Sequence, residues 1–466
     1  MTYLIAVLCA LLSGAGFFFS TGHGSVWLLA WLAPIPVLWL AFGPEKYWLV
    51  FAAALLAGIV GGCNILPAYF GILPAAVLAI AVAAPALSFA VSVVAARFVA
   101  QRLSPPMGIL AFAVVWTALD FFASWSANGA ALSPAYSQVG LPLMIQSASV
   151  FGLWVVTFVI GFFAAGVALA VATKRPAPAL LALIVAVLNA GYGLWRMETA
   201  PATQSVRVGL AADDALIATG LKPDEQSALA VAKTYAAAVR TLTARGASLI
   251  VLPEKTAVLE PAWQGAFYAE LETAAHIGHA TVVIGVDERI AGRKNNALVF
   301  FPNGAPPRSY AKRRLVPGLE SAFTPGTASL MLGDRTGIAV CKDMDFPDLL
   351  RADARLEPVI YAVPAWDFGK DGWWHARLAI MRGVENGFAV ARAANDGLLT
   401  LSDAYGRVIA QKPSGADGMT LLTGNVPRGP GRTLFARVGD SFAWMCTILS
   451  ALLLGLSFAA HRRPVL

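Results

Sequence analysis

Charged residues and histidine are scarce in this chain of 466 residues. Only 13% of the residues are Asp, Glu, Lys or Arg, whereas 58% are hydrophobic, and there are five histidines. Soluble domains carry about 25% charged residues, so the composition excludes a chain that is soluble throughout. The sequence therefore predicts that much of the chain lies in a lipid bilayer.

The few charges are unevenly distributed. Long apolar runs fill residues 1–198, most of the charges lie in 204–436, and a last apolar run covers 440–460. Because about 20 apolar residues cross a bilayer core as a helix, we predict a membrane domain of about seven transmembrane helices, an external domain and a C-terminal transmembrane helix. The predicted spans lie near 3–20, 25–42, 49–70, 73–96, 108–125, 148–172, 179–195 and 442–459.

Basic residues are absent from every second connection between these spans. Connections near 21–24, 67–74 and 126–138 have no Lys or Arg, whereas the others carry Lys46, Arg97, Arg102, Lys174, Arg175, Arg462 and Arg463. Since basic residues stay on the cytoplasmic side, we expect both termini in the cytoplasm and the 204–436 domain outside. These residues also explain much of the net charge of +7, so we expect no nucleic-acid partner.

Several common catalytic motifs are also missing. The sequence has no zinc-protease histidine pair, no phosphate-binding P-loop and no G-x-S-x-G serine motif. Of the four cysteines, three lie in or beside predicted spans and only Cys341 lies in the external domain. An oxidising compartment favours pairing of structural thiols, so a single thiol there suggests a catalytic one.

The external domain shows short strands alternating with helices, which predicts a sheet covered by helices. Helices are predicted at 223–245, 262–277 and 372–386. Strands are predicted at 205–211, 247–253, 281–286, 297–301, 309–315, 359–363, 389–393, 398–402 and 407–411, with one more ending at Cys341.

A catalytic thiol needs a base or a positive field close to it. The stretch LIVLPE ends in Glu254 after a buried strand, and RSYAKRRLVPGLE (308–320) contains Lys312 and Glu320. Each residue alone has a structural explanation: a thiol after a strand, a Pro-Glu turn, or a solvated lysine. Together they indicate an acyl-transfer site with a base, a cation and a nucleophile.

These stretches, with GIAVCKDMDFPDLLR (337–351) around Cys341, resemble the Glu, Lys and Cys motifs of the nitrilase (carbon-nitrogen hydrolase) superfamily. The segment VPAWDFGKDGWWHARLAIMRGVENGFAVARAANDG resembles the part that follows the superfamily cysteine. With SPAYSQVGLPLMIQSASVFGLW (133–154) and the spans, the whole chain resembles the apolipoprotein N-acyltransferase family. The resemblance implies a multi-span helical membrane domain joined to an α/β nitrilase-like α-β-β-α sandwich.

The resemblance also implies roles for individual residues. Glu254 is then the general base, Lys312 stabilises the oxyanion and Cys341 carries the acyl group as a thioester. Supporting roles fall to Glu320, which orients the lysine, to Asp343, and to the backbone N–H of Lys342 as a second oxyanion donor. Three tryptophans either line an acyl pocket or lie at the membrane interface: Trp366, Trp373 and Trp374.

The implied activity moves an acyl chain from a membrane phospholipid to the amine of a diacylglyceryl apolipoprotein. It requires no metal or organic cofactor, and the resemblance implies a monomer in the bacterial inner membrane.

Three departures from the family pattern bear on the substrate, and one of them is the short connection of 28 residues between Lys312 and Cys341. Lys342 replaces the usual aromatic residue after the cysteine, and ADDALIATGLKPDEQ (212–226) has no tryptophan. Two alternatives remain at this point: a membrane-tethered amidase with the same triad, or a non-catalytic membrane protein such as a transporter. The spans contain few charges, with Asp120 as the main exception, and transporters usually carry charged residues there. The transporter is therefore the weaker of these two alternatives.

Overall fold

The computed structural model describes residues 2–415 and 418–461. They form two compact units, one from the N-terminus to Ala200 together with Arg437 onward, the other Pro201–Ala436. The topology prediction based on Arg462 and Arg463 lies outside the described residues.

The first unit is helical. Its helices are α1 (Thr2–Ser20), α2 (Trp27–Leu32), α3 (Ile35–Ala41), α4 (Tyr47–Gly62), α5 (Leu66–Tyr69), α6 (Ala75–Arg102), α7 (Pro105–Ala123), α8 (Ala148–Phe151), α9 (Trp154–Thr173) and α10 (Ala177–Glu198), and, after the second unit, α17 (Ser441–His461). Seven segments of the described chain are long and apolar enough to cross a membrane: Tyr3–Ser20, Tyr47–Tyr69, Ala75–Arg102, Pro105–Ala123, Trp154–Thr173, Ala177–Glu198 and Ser441–Ala460.

The span predicted near 25–42 is not one continuous helix. The chain there forms the short helices α2 and α3, which are interrupted around Ala33 and Pro34. Pro34 and Pro36 have no backbone N–H, so two helical hydrogen bonds cannot form within three residues. Six long apolar helices therefore precede the second unit, and the shorter apolar pair α2 and α3 occupies the position of the predicted second span.

Arg97 was also misplaced, because it lies inside α6 and not in a connection. Its buried guanidinium donates hydrogen bonds to the carbonyl oxygens of Ala41 and Gly43, both at 2.8 Å, and to that of Glu45. Arg97 therefore satisfies carbonyl groups that the end of α3 leaves without helical partners.

Asp120 joins three parts of the helical unit. Its Oδ2 atom accepts hydrogen bonds from the hydroxyls of Ser133 at 2.6 Å and Thr157 at 2.7 Å. These residues belong to α7, to the segment after α7 and to α9. A mainly apolar cavity of about 210 Å³ lies beside them, and its lining includes Phe17, Asn64, Ile80, Trp116, Asp120 and Ser133.

The last helix belongs to the same unit. The indole N–H of Trp154 donates to Asp440 Oδ1 at 2.9 Å, so the segment before α17 is tied to α9. The chain thus returns to the helical unit after the second unit is complete.

The second unit contains thirteen strands and six helices within the described residues. The strands are β1 (Ser205–Ala212), β2 (Leu249–Val251), β3 (Val258–Leu259), β4 (Thr281–Glu288), β5 (Lys294–Phe300), β6 (Arg308–Ala311), β7 (Leu330–Met331), β8 (Thr336–Ile338), β9 (Ile360–Trp366), β10 (Ala389–Asn395), β11 (Leu398–Ser402), β12 (Val408–Pro413) and β13 (Thr420–Pro427). The helices are α11 (Ile217–Gly220), α12 (Glu225–Ala244), α13 (Gln264–Gly278), α14 (Pro347–Asp353), α15 (Gly372–Asn386) and, at the boundary between the units, α16 (Leu434–Val438).

These strands form two sheets. One has the order β13-β1-β2-β4-β5-β6, with β3 also paired to β4, and the other has the order β12-β11-β10-β9-β8-β7. The first strand and the last pair along their whole length in antiparallel register, from Ser205 opposite Pro427 to Ala212 opposite Thr420. The chain therefore enters and leaves this unit at neighbouring strand ends.

A buried layer of aliphatic side chains lies between the two sheets and includes Val208 and Val283 from one sheet and Ile360 and Ala391 from the other. Helices α12 and α13 cover the outer face of the first sheet, and α14 and α15 cover that of the second. This is an α-β-β-α sandwich, so the predicted fold class is confirmed. Because β2, β6 and β8 end in this sandwich just before Glu254, Lys312 and Cys341, the fold determines where these side chains lie.

Candidate active site

Glu254 and Lys312 form a buried ion pair. The Lys312 Nζ atom lies 2.8 Å from Glu254 Oε1, and each side chain is 1% exposed. The same Nζ atom lies 2.9 Å from Glu320 Oε2. The structure therefore brings the Lys312 ammonium into contact with Glu254, which is distant in the sequence, and with Glu320, which lies on the loop after β6.

Cys341 follows β8 with an unusual backbone. Its φ of +42° lies in the left-handed region, which costs a non-glycine residue about 1–2 kcal/mol. The Cys341 thiol lies 3.6 Å from the carbonyl oxygen of Trp366. Strain of this kind collects at functional sites, where the surrounding structure holds it in place.

The charges of the ion pair act on this thiol. Burial and the Glu254 carboxylate raise the pKa of Cys341 above its usual value, and Lys312 and Arg392 oppose that rise. The thiol is therefore protonated at neutral pH and needs a base before it can act as a nucleophile.

Asp343 connects the Cys341 turn to the strand that carries Lys312. Burial raises the pKa of its carboxyl group, whereas its hydrogen bonds and the nearby cations lower it. The four donors to this carboxylate are the backbone N–H groups of Arg313 (3.1 Å), Arg314 (2.8 Å) and Val340 (3.0 Å) and the Tyr310 hydroxyl (2.7 Å). One buried side chain thus fixes the spacing between the thiol and the ammonium.

Lys342 directs its side chain away from the ion pair. Its Nζ atom lies 3.1 Å from Asp345 Oδ2 and 5.7 Å from the centre of the Phe346 ring. The role of its backbone N–H as an oxyanion donor stays a prediction.

Two residues of this network were missed in the sequence. The Asn295 amide donates to Glu254 Oε1 at 2.5 Å and to Glu320 Oε1 at 2.8 Å. The Lys255 Nζ atom donates to Glu320 Oε1 at 2.9 Å. The available signals were an asparagine pair opening the apolar strand KNNALVF and a lysine directly after Glu254.

The network shifts the pKa values of Glu320 and Lys312 in opposite directions. Burial acts to raise the pKa of Glu320, but Lys312 and Lys255 lower it to about 2. Burial acts to lower the pKa of Lys312, but the two glutamates raise it well above the usual lysine value. At neutral pH the site therefore holds anionic Glu320 and cationic Lys312.

The three predicted tryptophans lie in different surroundings. Trp366 lies at the site, with its carbonyl oxygen facing Cys341 and its ring centre 5.3 Å from Lys255 Nζ. The ring of Trp373 lies 5.8 Å from the Arg377 guanidinium, and buried Trp374 stacks on His375. These two contacts join residues of α15 to one another.

One side-chain group near the site has ligand atoms close enough to hold a metal ion. Asp367, Asp371 and His375 each place a ligand atom within 4.8 Å of the others. However, Asp367 pairs with the Arg392 guanidinium through both of its oxygens. The other two residues contact each other, with His375 Nε2 at 3.1 Å from Asp371 Oδ2. A cation would have to compete with both of these contacts.

Two family models match the chain. Residues 13–166 match the model described as apolipoprotein N-acyltransferase N-terminal domain, and residues 215–429 match the model described as carbon-nitrogen hydrolase.

Several curated proteins named apolipoprotein N-acyltransferase are similar along most of the chain. The protein from Geobacter metallireducens is 27% identical over 98% of this chain and 95% of its own length. The protein from Haemophilus influenzae is 26% identical over 97% and 94%, and that from Pseudomonas aeruginosa is 29% identical over 70% and 69%. Among solved structures, an amidase from Nesterenkonia sp. has a TM-score of 0.42 at 21% identity over 53% of this chain and 98% of that chain.

Proposed function

Since this chain belongs to the apolipoprotein N-acyltransferase family of the carbon-nitrogen hydrolase superfamily, we propose that it acylates apolipoproteins through a thioester on Cys341. The chain is an N-acyltransferase enzyme of a membrane. Its donor is a membrane phospholipid, and its acceptor is the α-amine of the N-terminal lipid-modified cysteine of an apolipoprotein. The observation that carries the proposal is the Lys312 ammonium at 2.8 Å from Glu254, acting with it on the thiol of Cys341.

The first step forms the thioester. Glu254 takes the proton of the Cys341 thiol while Sγ attacks the ester carbonyl carbon of the phospholipid. Lys312 and the Lys342 backbone N–H donate hydrogen bonds to the oxyanion. The carbon–oxygen bond to glycerol then breaks, the glycerol oxygen takes the proton from Glu254, and a lysophospholipid leaves.

The second step forms the amide. The acceptor amine attacks the thioester carbonyl carbon, and Glu254 takes a proton from the nitrogen. Lys312 again stabilises the oxyanion. The carbon–sulfur bond then breaks, and the thiolate takes the proton from Glu254, which restores Cys341.

The acyl chains of the proposed donor explain why the chain has a membrane unit. Each CH₂ group of an acyl chain that leaves the bilayer for water costs about 0.8 kcal/mol, so a donor with long chains has to be met where it lies. We infer that the shorter apolar pair α2 and α3 together crosses the membrane once. With that crossing, the basic connections put both termini in the cytoplasm and the sandwich on the outer side of the bacterial inner membrane. We expect a monomer.

Mass spectrometry of the purified full-length chain after exposure to phospholipid tests the first step. We expect an acyl adduct on Cys341, its absence in Cys341→Ala, and a strong decrease in Glu254→Gln. Addition of a diacylglyceryl-cysteine peptide should discharge the adduct and acylate the peptide. Release of free fatty acid without peptide acylation would instead identify water as the second nucleophile and contradict the proposal.

A further inference from the structure

Lys255 directly follows the proposed base in a backbone conformation that lysine rarely adopts. Its φ is +51°, and such strain persists only where neighbouring contacts hold it. One of those contacts is the hydrogen bond of 2.9 Å from its Nζ atom to Glu320 Oε1. Lys255 is therefore held at the proposed active site and does not extend freely into solvent.

The lysine differs from the rest of the network in its exposure. The side chains of Lys312, Glu254 and Glu320 are each 1% exposed, whereas that of Lys255 is 19% exposed. Among these four groups, Lys255 is thus the one that an incoming molecule can touch first.

Glu320 does not depend on Lys255 for its hydrogen bonds. Its oxygens already accept from Lys312, from the Asn295 amide and from the Val316 backbone N–H. An ammonium group has three N–H donors, and the described hydrogen bond of Lys255 uses one of them. The remaining donors can bind an anion without disturbing Glu320.

Aromatic rings and a second cation surround this ammonium. Its Nζ atom lies 5.3 Å from the centre of the Trp366 ring and 5.7 Å from that of Phe323. The Arg293 guanidinium lies 4.4 Å from the same Phe323 ring, with its side chain 38% exposed and paired to Asp287. Two partly exposed cations, Lys255 and Arg293, therefore each lie against the Phe323 ring. Lys255 also lies against Trp366, whose carbonyl oxygen faces the thiol.

We propose that Lys255, with Arg293 beside it, binds the phosphate of the donor phospholipid and makes the site prefer phosphate-bearing lipids to neutral acyl donors. This inference rests on the proposed function. In a glycerophospholipid the phosphate is separated from the ester carbonyl by the glycerol, so its ligand should be near the nucleophile but not in contact with it. Lys255 meets that condition, because it lies near the ring of Trp366 and the carbonyl oxygen of Trp366 faces the thiol. Lys312, in contrast, is enclosed by its two carboxylates.

The test compares two donors with the same acyl chains, a phospholipid and a diacylglycerol, in the full-length chain. The measured quantity is the ratio of kcat/KM values for thioester formation on Cys341 with the two donors. We expect Lys255→Met to lower this ratio about tenfold, since charge-assisted hydrogen bonds to phosphate are lost. Lys255→Arg should keep most of the preference, and Arg293→Gln should lower it less than Lys255→Met.

Lys233→Met is the matched control, because Lys233 is exposed on α12 and should leave the ratio unchanged. Equal losses on both donors in Lys255→Met would mean that the lysine acts only through Glu320, and would overturn the inference. Failure of the unaltered chain to form a thioester with either donor would instead contradict the proposed function.

Inorganic phosphate separates a lipid subsite from a site for free phosphate. We expect millimolar phosphate to slow acylation from the phospholipid less in Lys255→Met than in the unaltered chain. Inhibition by phosphate that depends on Lys255, combined with a donor ratio that does not, would assign the site to free phosphate and overturn the lipid assignment.

Discussion

Nearby carboxylates and cations shift the pKa of the Cys341 thiol in opposite directions. Burial and Glu254 raise the pKa of this thiol, and Lys312 lowers it. Glu254 therefore makes the resting thiol less reactive, and yet in the proposed mechanism it supplies the base that the acyl-transfer step needs. Removal of its charge should have opposite effects on the two reactions.

We predict that Glu254→Gln accelerates alkylation of Cys341 by iodoacetamide and slows thioester formation about 100-fold or more. Because a raised pKa leaves little thiolate at pH 7, alkylation of the unaltered chain should rise steeply as the pH increases. In Glu254→Gln the same rise should occur at lower pH. Rates of alkylation measured between pH 6 and 10, with exposed Glu272→Gln as the control, check this shift. Slower alkylation in Glu254→Gln would contradict the inference that the Glu254 carboxylate raises the pKa of Cys341.

Asp343 permits a second prediction about a single residue. Asp343→Asn keeps the size of the side chain but loses the charge that accepts four hydrogen bonds. We expect the free energy of unfolding to fall by about 3 kcal/mol and thioester formation to slow, because the turn and the strand end are no longer held together. Asp348→Asn in the adjoining helix is the control, since its side chain is 58% exposed and its ion pair with Arg314 should contribute about 0–1 kcal/mol. Similar effects of the two substitutions on both quantities would refute this explanation.

Secondary-structure elements were predictable where the local pattern determined them. The helix predicted at 372–386 and the strand predicted at 398–402 have the observed bounds. Strand β13 was missed because its sequence TLLTGNVP contains a glycine and a proline and lacks strict alternation. Its strand conformation depends on pairing with β1, which is distant in the sequence.

The interrupted helix and the missed network residues have related causes. Pro34 and Pro36 indicate an interruption of the second span, but hydropathy alone does not show where α2 ends and α3 begins. Asn295 and Lys255 lie beside Glu320 only after distant strands have paired. The roles assigned to the triad stay predictions, although the geometry of Glu254 and Lys312 is the one that those roles require.

In the helical unit, a hydrogen bond between Asp120 and Thr157 joins α7 to α9. We predict that Asp120→Asn and Thr157→Val each lower the thermal stability of the chain in detergent, and that the double variant loses about 1 kcal/mol less than the sum. The reason is that both single changes act on the same hydrogen bond of 2.7 Å: Thr157→Val removes its donor, and Asp120→Asn replaces its charged acceptor with a neutral one. A double-mutant cycle measured by thermal unfolding tests the coupling, and strict additivity would show that the two residues act independently.

In the order of the chain, the helical unit begins before the sandwich and ends after it. Residues up to Ala200 and from Arg437 onward belong to one unit, and the tie between Trp154 and Asp440 lies within it. The sandwich is therefore attached to membrane-type helices at both of its ends. Loss of α17 would remove one of these attachments without altering any residue of the triad.

The pairing of β1 with β13 also has a consequence for synthesis. All three triad residues are made before residue 420, but the sheet that begins with β1 gains its outermost strand only when β13 emerges. Closing so long a loop is slow compared with local folding. A nascent chain that stops before Pro427 would thus carry every reacting group and still leave one edge of β1 open to other polypeptides. The second unit can therefore complete its fold only after nearly all of its residues have been synthesised.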